Sequence, residues 1–223
     1  MYSILSDVFR RLFEAFGPQH WWPGQSPFEV MVGAVLTQST NWRNVERAIA
    51  NLREADLLEP YALYKVRVEE LEELIRPAGY YRIKARRLRS LVEFIVERYA
   101  GSLEAMFQTN LVELRQQLLS VHGIGPETAD SILLYAGNLP SFVVDAYTHR
   151  IFARHGWTDF NADYHQIQDY VQSSFPQDVS QYNEFHALLV QLGKDYCRKT
   201  NPKCSECPLR ELLPSGGPLI AED

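Results

Sequence analysis

The chain has 223 residues, of which 46% are hydrophobic and 22% charged, close to the averages of folded globular proteins. This composition excludes a disordered chain, a collagen and a coiled coil. The longest apolar run, Val30 to Leu36, is far shorter than the roughly 20 residues of a membrane span, and the N-terminal sequence does not read as a signal peptide. We therefore expect a cytoplasmic protein.

Acidic residues outnumber basic ones, 28 to 22, and the formal net charge is −6. This balance argues against a protein that coats nucleic acid non-specifically, but it is compatible with one local basic face. The three cysteines all lie between residues 197 and 207. They are too clustered for a disulfide framework, and in a cytoplasmic chain such clustering indicates a metal site.

Apolar residues at helical spacing predict about ten helices, and no segment shows convincing strand alternation. The first helix begins near Leu5 and ends at Gly17-Pro18, which stop the pattern. The remaining helices are predicted over residues 28–36, 44–52, 68–75, 83–99, 111–119, 128–136, 148–155, 164–175 and 182–193. We expect an all-α protein with short connections.

A basic block follows two aromatic residues in the middle of the chain. After Tyr80-Tyr81 come five cations without an intervening acid: Arg82, Lys84, Arg86, Arg87 and Arg89. Aromatic rings beside cations suit stacking into a duplex and neutralising phosphates. The alternative interpretation of this block is a solvated helix face, which is also the favoured interpretation of the acidic block at residues 69–73.

The turn Gly123-Ile124-Gly125 joins two predicted helices. Glycine permits a positive φ and the close approach of another backbone. Amides that open the second helix, around Thr128, can meet a phosphate oxygen because the helix dipole is positive there. By itself this turn is weak evidence for nucleic-acid binding.

Asp145 ends the apolar run Phe142-Val143-Val144. A carboxylate in such a position is costly to desolvate unless its function or a helix N-terminus holds it. The residues alone leave both interpretations open, a catalytic carboxylate and a simple N-cap.

Four segments, in their order and spacing, resemble helix-hairpin-helix DNA glycosylases of the endonuclease III superfamily. They are residues 119–129, Val144-Asp145, residues 36–40 and the cysteine tail. Four further segments look most like the 3-methyladenine DNA glycosylase III branch: Trp21-Trp22-Pro23, residues 33–38, residues 76–81 and residues 144–147. The resemblance covers nearly the whole chain. It implies a six-helix barrel domain with the hairpin at residues 24–138, and a terminal helical domain of residues 1–23 and 139–223 with a Cys-rich loop.

This resemblance implies a DNA N-glycosylase that acts on damaged bases in double-stranded DNA, as a monomer, in base-excision repair. Asp145 matches the catalytic carboxylate, which stabilises the oxocarbenium-like sugar and activates water. Gln38 matches the residue that fills the space left by the flipped nucleotide, and Tyr80 the residue that wedges the opposite strand. Residues expected to contact DNA are Gln38, Tyr80, Lys84, Arg86, Gly123, Gly125, Thr128, Arg198 and Lys199.

Glu127 stands where bifunctional relatives have a lysine that forms a Schiff base with the sugar. A carboxylate cannot do so, which predicts a monofunctional enzyme without lyase activity. Trp21, Trp22 and Trp42 match or approximate pocket aromatics, with Glu127 as a further pocket residue, and alkylated purines such as 3-methyladenine are the expected substrates. Trp42 departs from an expected phenylalanine, and core packing is an alternative role for these tryptophans.

Two other functions stay open: a pyrimidine-lesion or mismatch glycosylase on the same scaffold, and a non-catalytic module that binds damaged DNA.

The spacing Cys197-x6-Cys204-x2-Cys207 matches three of the four ligands of the family's [4Fe–4S] cluster, but Leu213 occupies the fourth position. Glu211, water or hydroxide are candidate replacements. Alternatives are zinc bound by the three cysteines and a distant histidine, or no metal. No nucleotide cofactor is expected.

Overall fold

The computed structural model describes residues 3–22 and 24–220 and confirms an all-α fold, since no strand occurs in that part of the chain. Its α-helices are α1 (Ile4–Phe16), α2 (Pro27–Leu36), α3 (Trp42–Glu54), α4 (Pro60–Lys65), α5 (Val68–Leu74), α6 (Tyr81–Tyr99), α7 (Leu103–Phe107), α8 (Leu111–Ser120), α9 (Pro126–Ser131), α10 (Ala146–Arg154), α11 (Tyr164–Ser174) and α12 (Val179–Asp195). A π-helical turn, Ile132–Ala136, continues α9. No helix in the described ranges is long and apolar enough to cross a bilayer.

The chain divides into two compact units. One consists of Met1–Trp21 with Pro140–Asp223, and the other of Trp22–Leu139. These bounds lie beside the predicted ones, but the assignment of separate domains stays a prediction. Pro23, which belongs to one of the sequence motifs, lies outside the described residues.

The 22–139 unit is built around α2, which is buried from Phe28 to Leu36. Ser26 caps this helix by accepting a hydrogen bond from the Glu29 amide at 3.2 Å, and Pro27 pre-sets the first helical turn. The long helix α6 contributes buried residues from Ala85 to Ile95 to the same core. The short helices α4 and α7, of six and five residues, escaped sequence analysis because so few residues carry no readable period.

The other described unit packs α12 against α10 and α1. Its core is aromatic, with Phe142 meeting Tyr182 edge to face at 5.4 Å and Phe185 at 5.8 Å. Gly193 lets α12 approach Tyr147, because a Cβ there would stand 2.3 Å from Tyr147 Cδ1. This close packing fixes the first turn of α10, where Asp145 is the N-cap.

Candidate functional site

Asp145 is both a helix cap and a partner of a buried histidine. Its Oδ1 accepts a hydrogen bond from the Thr148 amide at 2.7 Å, and its Oδ2 lies 3.6 Å from Nε2 of His186 on α12. Only 12% of the Asp145 side chain is exposed. The two interpretations left open by the sequence are therefore compatible, since capping occupies one carboxylate oxygen and leaves the other facing a titratable group.

The pKa of Asp145 reflects this surrounding. Burial raises it, but the nearby His186 imidazole, together with the hydrogen bond from the Thr148 amide, outweighs burial and holds the pKa below the ordinary aspartate value. Asp145 is thus ionised at neutral pH despite being largely buried. Sequence analysis missed His186, which lies forty-one positions downstream within an apolar helix pattern.

The hairpin consists of α8, the turn at residues 121–125 and α9. Arg115 of α8 clamps the two helices through Nε and Nη2, which donate to both carboxylate oxygens of Asp130 at 2.8 and 2.9 Å. Gly123 has a φ of +84°, and a Cβ there would stand 2.2 Å from Cγ of Arg87. Gly125 has an ordinary φ of −92° with open space around it, so the predicted need for positive φ is wrong at this glycine.

Gln38 is held against the hairpin by three hydrogen bonds. Its Nε2 donates to the Gly123 carbonyl at 3.1 Å and to the Thr128 hydroxyl at 2.9 Å, and its Oε1 accepts from Arg87. The buried Thr128 side chain is thereby committed to Gln38. The predicted DNA contact, which concerns the backbone amides around Thr128 and not its hydroxyl, stays a prediction.

Tyr80 is displayed at the N-terminus of α6. Its side chain is 68% exposed and its backbone is left-handed, with φ +46° and ψ +32°. Left-handed backbone is unfavourable for a residue with a Cβ, and such strain is concentrated at functional positions. Ile83 and Arg86 are also exposed and follow at helical spacing. The start of α6 thus presents an aromatic ring, an aliphatic side chain and a cation to solvent.

Lys84 does not belong to this exposed surface. Its side chain is buried, and Nζ donates to the carbonyls of Leu36 at 2.8 Å and Ala78 at 2.7 Å. Burial, with the nearby charge of Arg87, lowers its pKa to about 8. The prediction of a DNA contact at Lys84 is therefore wrong, because its ammonium caps the C-terminus of α2 instead.

Two of the predicted pocket tryptophans meet in the 22–139 unit. Trp22 packs edge to face on Trp42, with ring centroids 5.1 Å apart, and contacts Tyr135 at the same separation. The absent side chain of Gly33 leaves room for Trp22, since a Cβ there would lie 3.3 Å from its Cζ2. We call Trp22, Trp42 and Tyr135 the aromatic cluster. Its rings are half-buried. Tyr135 lies within the predicted helix over residues 128–136, but no motif around it marks it as a candidate pocket residue.

The other two predicted pocket residues are Trp21 and Glu127. Trp21 belongs to the other unit, where Nζ of Lys194 lies 5.4 Å from its ring centroid. Glu127 is exposed in the first turn of α9. Their assignment to a base pocket stays a prediction.

The cysteine tail folds against α10. Arg150 Nε donates to the Cys197 carbonyl at 2.7 Å, while Arg154 Nη1 donates to the Cys197 Sγ at 3.4 Å and the Arg198 carbonyl at 2.7 Å. Arg154 Nη2 also donates to the Lys199 carbonyl at 3.1 Å. The Arg198 and Lys199 side chains stay exposed. Phosphate contacts by these side chains stay a prediction. The carbonyls of both residues accept hydrogen bonds from Arg154, which hold the tail against α10.

All three cysteines line one cavity of about 10 Å³, enough for the centre of one water molecule. The other lining residues are Arg154, His155, Tyr196, Leu213 and Pro218. Glu211 is not among them: its carboxylate bonds Arg11 Nη1 at 2.9 Å. The suggestion that Glu211 replaces the fourth cysteine is therefore wrong for this arrangement.

The donor set around this cavity fits an iron–sulfur cluster. Burial raises the pKa of the Cys207 thiol to about 11, and a bound cation would deprotonate it. Cys197, Cys204 and Cys207 would supply three of the four ligands.

Comparison with known proteins gives concordant results. A family model described as "HhH-GPD superfamily base excision DNA repair protein" matches residues 32–177. The "Putative DNA repair glycosylase MJ1434" of Methanocaldococcus jannaschii is 47% identical, over 95% of this chain and 96% of that protein.

Two solved structures extend this comparison. The 3-methyladenine DNA glycosylase MagIII of H. pylori, solved with 1,N6-ethenoadenine, is 30% identical with a TM-score of 0.74, over 84% of this chain and 96% of its own. An endonuclease III–DNA complex has a TM-score of 0.81 at 24% identity over 94% of both chains. At that identity the latter establishes the fold alone.

Proposed function

This chain belongs to the HhH-GPD superfamily of base excision DNA repair proteins, and from that premise we propose that it is a monofunctional DNA N-glycosylase releasing alkylated purines. The observation that carries the proposal is the carboxylate of Asp145. It is largely buried, bonded to the Thr148 amide and faced by His186, and its pKa lies below the ordinary value. An anion kept in a low-dielectric surrounding stabilises a developing positive charge more strongly than one in water.

In the proposed reaction the bond between C1′ and the base nitrogen breaks, and its electron pair leaves with the base. A purine carrying an alkyl group at N3 or N7 is already cationic, so it departs as a neutral molecule. The sugar becomes oxocarbenium-like, and the Asp145 carboxylate stabilises this charge. Water then adds to C1′ and gives its proton to Asp145, which leaves an abasic site.

Glu127 supports the monofunctional assignment. It stands in the first turn of α9, in the hairpin position where the resemblance to bifunctional relatives calls for a lysine. Schiff-base formation requires a nucleophilic amine, which a carboxylate lacks. Strand cleavage by β-elimination is therefore not part of the proposed activity.

The aromatic cluster supports a cationic purine as the substrate. Trp22, Trp42 and Tyr135 offer electron-rich ring faces, and a positively charged base stacks on such faces more favourably than a neutral one. The 30% identity to a 3-methyladenine DNA glycosylase points in the same direction. We propose the cluster, with Trp21 and Glu127, as the base-recognition residues.

Double-stranded DNA is the proposed partner of a monomeric enzyme. Tyr80 is exposed enough to wedge between bases, and Arg86, Arg198 and Lys199 are exposed cations suited to phosphates. Gly125 has open space around its Cα, so a sugar–phosphate backbone could approach closely. Gln38 would fill the vacated space after exchanging its hairpin hydrogen bonds for contacts with DNA.

We further propose that Cys197, Cys204 and Cys207 hold a [4Fe–4S] cluster. When bound, the cluster cross-links the cysteine tail, and base release requires no electron transfer from it. The exposed cations Arg198 and Lys199 lie within the tail that it would fix. The same tail is already bonded to Arg150 and Arg154 of α10.

The proposal is tested by incubating methylated duplex DNA with the wild type and with Asp145→Asn, and separating the released bases by chromatography. Asparagine retains a side-chain oxygen that accepts the Thr148 amide hydrogen, so the variant keeps its cap and tests the charge alone. We expect 3-methyladenine release by the wild type, a loss of at least about 100-fold in Asp145→Asn, and no strand nicking.

Three outcomes would contradict parts of this proposal. Strand nicking with a borohydride-trapped protein–DNA adduct would refute the monofunctional assignment. Release of damaged or mismatched pyrimidines, but not of alkylpurines, would identify the alternative glycosylase. Tight binding of damaged DNA without release of any base would favour a non-catalytic binding module.

A further inference from the structure

The cavity in the cysteine tail has three thiols and lacks the fourth cysteine of the family pattern. Leu213, at the fourth position, lines the cavity but carries no ligand atom. Glu211 is turned toward Arg11. A cluster bound here needs either a solvent ligand or another side chain already at the cavity wall.

His155 lies at that wall. It is the residue directly after α10, it is buried, and it lines the cavity together with Cys197, Cys204 and Cys207. Its ring stacks on Trp157 with centroids 4.5 Å apart and an interplanar angle of 26°. This stacking fixes the plane of the imidazole.

The two ring nitrogens of His155 are in different situations. Nδ1 lies 2.7 Å from the Ile151 carbonyl, a hydrogen bond in which the ring nitrogen donates. Nε2 is buried and makes no hydrogen bond of acceptable geometry within the described residues, although the Leu209 backbone lies close enough to the ring to favour its protonated form and partly offset the burial that lowers the pKa of His155. With the proton on Nδ1, the Nε2 lone pair is left without a donor.

This arrangement is the one that metal-binding histidines adopt. Such a residue usually donates its second N–H to a carbonyl or carboxylate, which sets the tautomer and aims the other nitrogen at the metal. A buried polar atom without a hydrogen-bond partner needs another explanation, and a role as a metal ligand supplies one. The Ile151 carbonyl and the Trp157 ring are the supports that a ligand at this place requires.

The side chains around this cavity suit a cluster. Cys197, Cys204, Cys207 and His155 all line it. The corners of a cubane cluster are separate iron atoms, so three thiolates and one imidazole can each bind a different iron.

We propose that His155 Nε2 is the fourth ligand of a [4Fe–4S] cluster, completing the set of Cys197, Cys204 and Cys207. The inference rests on the cluster assigned under the proposed function, and it does not depend on which base the enzyme releases. It replaces the missing thiolate at Leu213 with a neutral nitrogen donor from a different part of the chain.

The test uses the whole protein, purified without oxygen, after labelling its histidines with ¹⁵N. Iron and acid-labile sulfide are measured first, and the cluster is then converted to a paramagnetic oxidation state for pulsed EPR. We expect four irons per chain and a coupling to one imidazole nitrogen that changes with the isotope. Because this readout needs no substitution, it does not depend on a variant that folds.

Variants identify which histidine gives the signal. In His155→Cys we expect the cluster to be retained and the nitrogen coupling to disappear. His165→Ala, which removes an exposed histidine on α11, is the matched control and should keep the coupling. In His155→Ala we expect one iron to be lost on mild oxidation, giving a three-iron cluster faster than in the wild type.

The proposal is overturned by an iron-loaded wild type without imidazole coupling, by coupling that persists in His155→Cys, or by a purified protein that contains zinc or no metal. Base release is measured on the same samples. An active enzyme without imidazole coupling would refute the His155 ligand alone, whereas a cluster with imidazole coupling in a protein that releases no base would refute the glycosylase proposal alone.

Discussion

Gly123 and Gly125 bracket one turn, yet the structure predicts opposite sensitivities to alanine. Gly123 has a φ of +84°, and the Arg87 side chain packs closely beside it. A Cβ added at Gly123 would stand 2.2 Å from Cγ and 2.7 Å from Cδ of Arg87. Because Cγ lies close to the Arg87 backbone, a small rotation of the guanidinium end does not relieve the overlap. At Gly125 the φ is −92° and nothing lies within 4 Å of the added atom.

The expected cost of Gly123→Ala is the sum of two effects. A left-handed backbone costs a residue with a Cβ about 1–2 kcal/mol, and forcing an atom into occupied space typically costs about 1–3 kcal/mol. The free energy of unfolding should therefore fall by about 2–5 kcal/mol. In Gly125→Ala, the lower entropy of the unfolded chain and the poorer N-cap nearly cancel, so the change should stay within about 0.5 kcal/mol.

Urea unfolding followed by circular dichroism measures both values under the same conditions. The Arg87 displacement should also release Gln38, whose Oε1 accepts its hydrogen bond from Arg87. Gly123→Ala should consequently lower base release further than the loss of folded protein explains. Equal stability of the two variants, or a Gly123→Ala cost below about 1 kcal/mol, would refute the geometric reasoning.

Three further predictions concern single side chains. In Lys84→Met we expect a lower free energy of unfolding than in the wild type at pH 7, and this difference should widen by up to about 3 kcal/mol between pH 8 and 10.5. In that range the unfolded lysine holds its proton and the folded one, with a pKa of about 8, does not, so the wild type gains stability as the pH rises. Urea unfolding at several pH values measures the difference, and a constant difference would contradict the reasoning. His186→Gln removes the imidazole that helps to keep the pKa of Asp145 low. When the rate of base release is plotted against pH, its fall on the acidic side should therefore move to higher pH. A purely structural role of His186 would lower the rate without moving that fall. Tyr80→Ala removes an exposed ring, so DNA affinity measured by fluorescence anisotropy should fall by about 1–3 kcal/mol with stability nearly unchanged; unchanged affinity would exclude the wedge role.

Local pattern was enough to predict most of the helices and the all-α fold. The caps explain why: Ser26 and Asp145 each accept a hydrogen bond from an amide three residues along, a relation that is visible within a short window of sequence. The exposed ring of Tyr80 and the clustering of the cysteines are likewise local properties. What such a window cannot contain is the partner that a side chain finds in another helix.

Lys84 and His155 illustrate that limit in opposite directions. Lys84 sits in a basic block, yet its ammonium turns inward to two carbonyls supplied by Leu36 and Ala78. His155 has no motif around it, yet it lines the cavity with cysteines more than forty residues away. Charge and periodicity describe the residue itself, whereas burial and partners depend on how distant segments pack.

The helix α10 runs from the candidate catalytic carboxylate of its unit to the proposed cluster ligand. Asp145 caps its first turn, and His155 follows its last residue, so at 1.5 Å per residue the two stand about 15 Å apart along the helix axis. If oxidative damage or iron starvation removes the proposed cluster, we expect the far end of α10 to loosen and the carboxylate at the near end to lose part of its fixed position. Base excision by this protein would then decline under the oxidising conditions that also injure DNA.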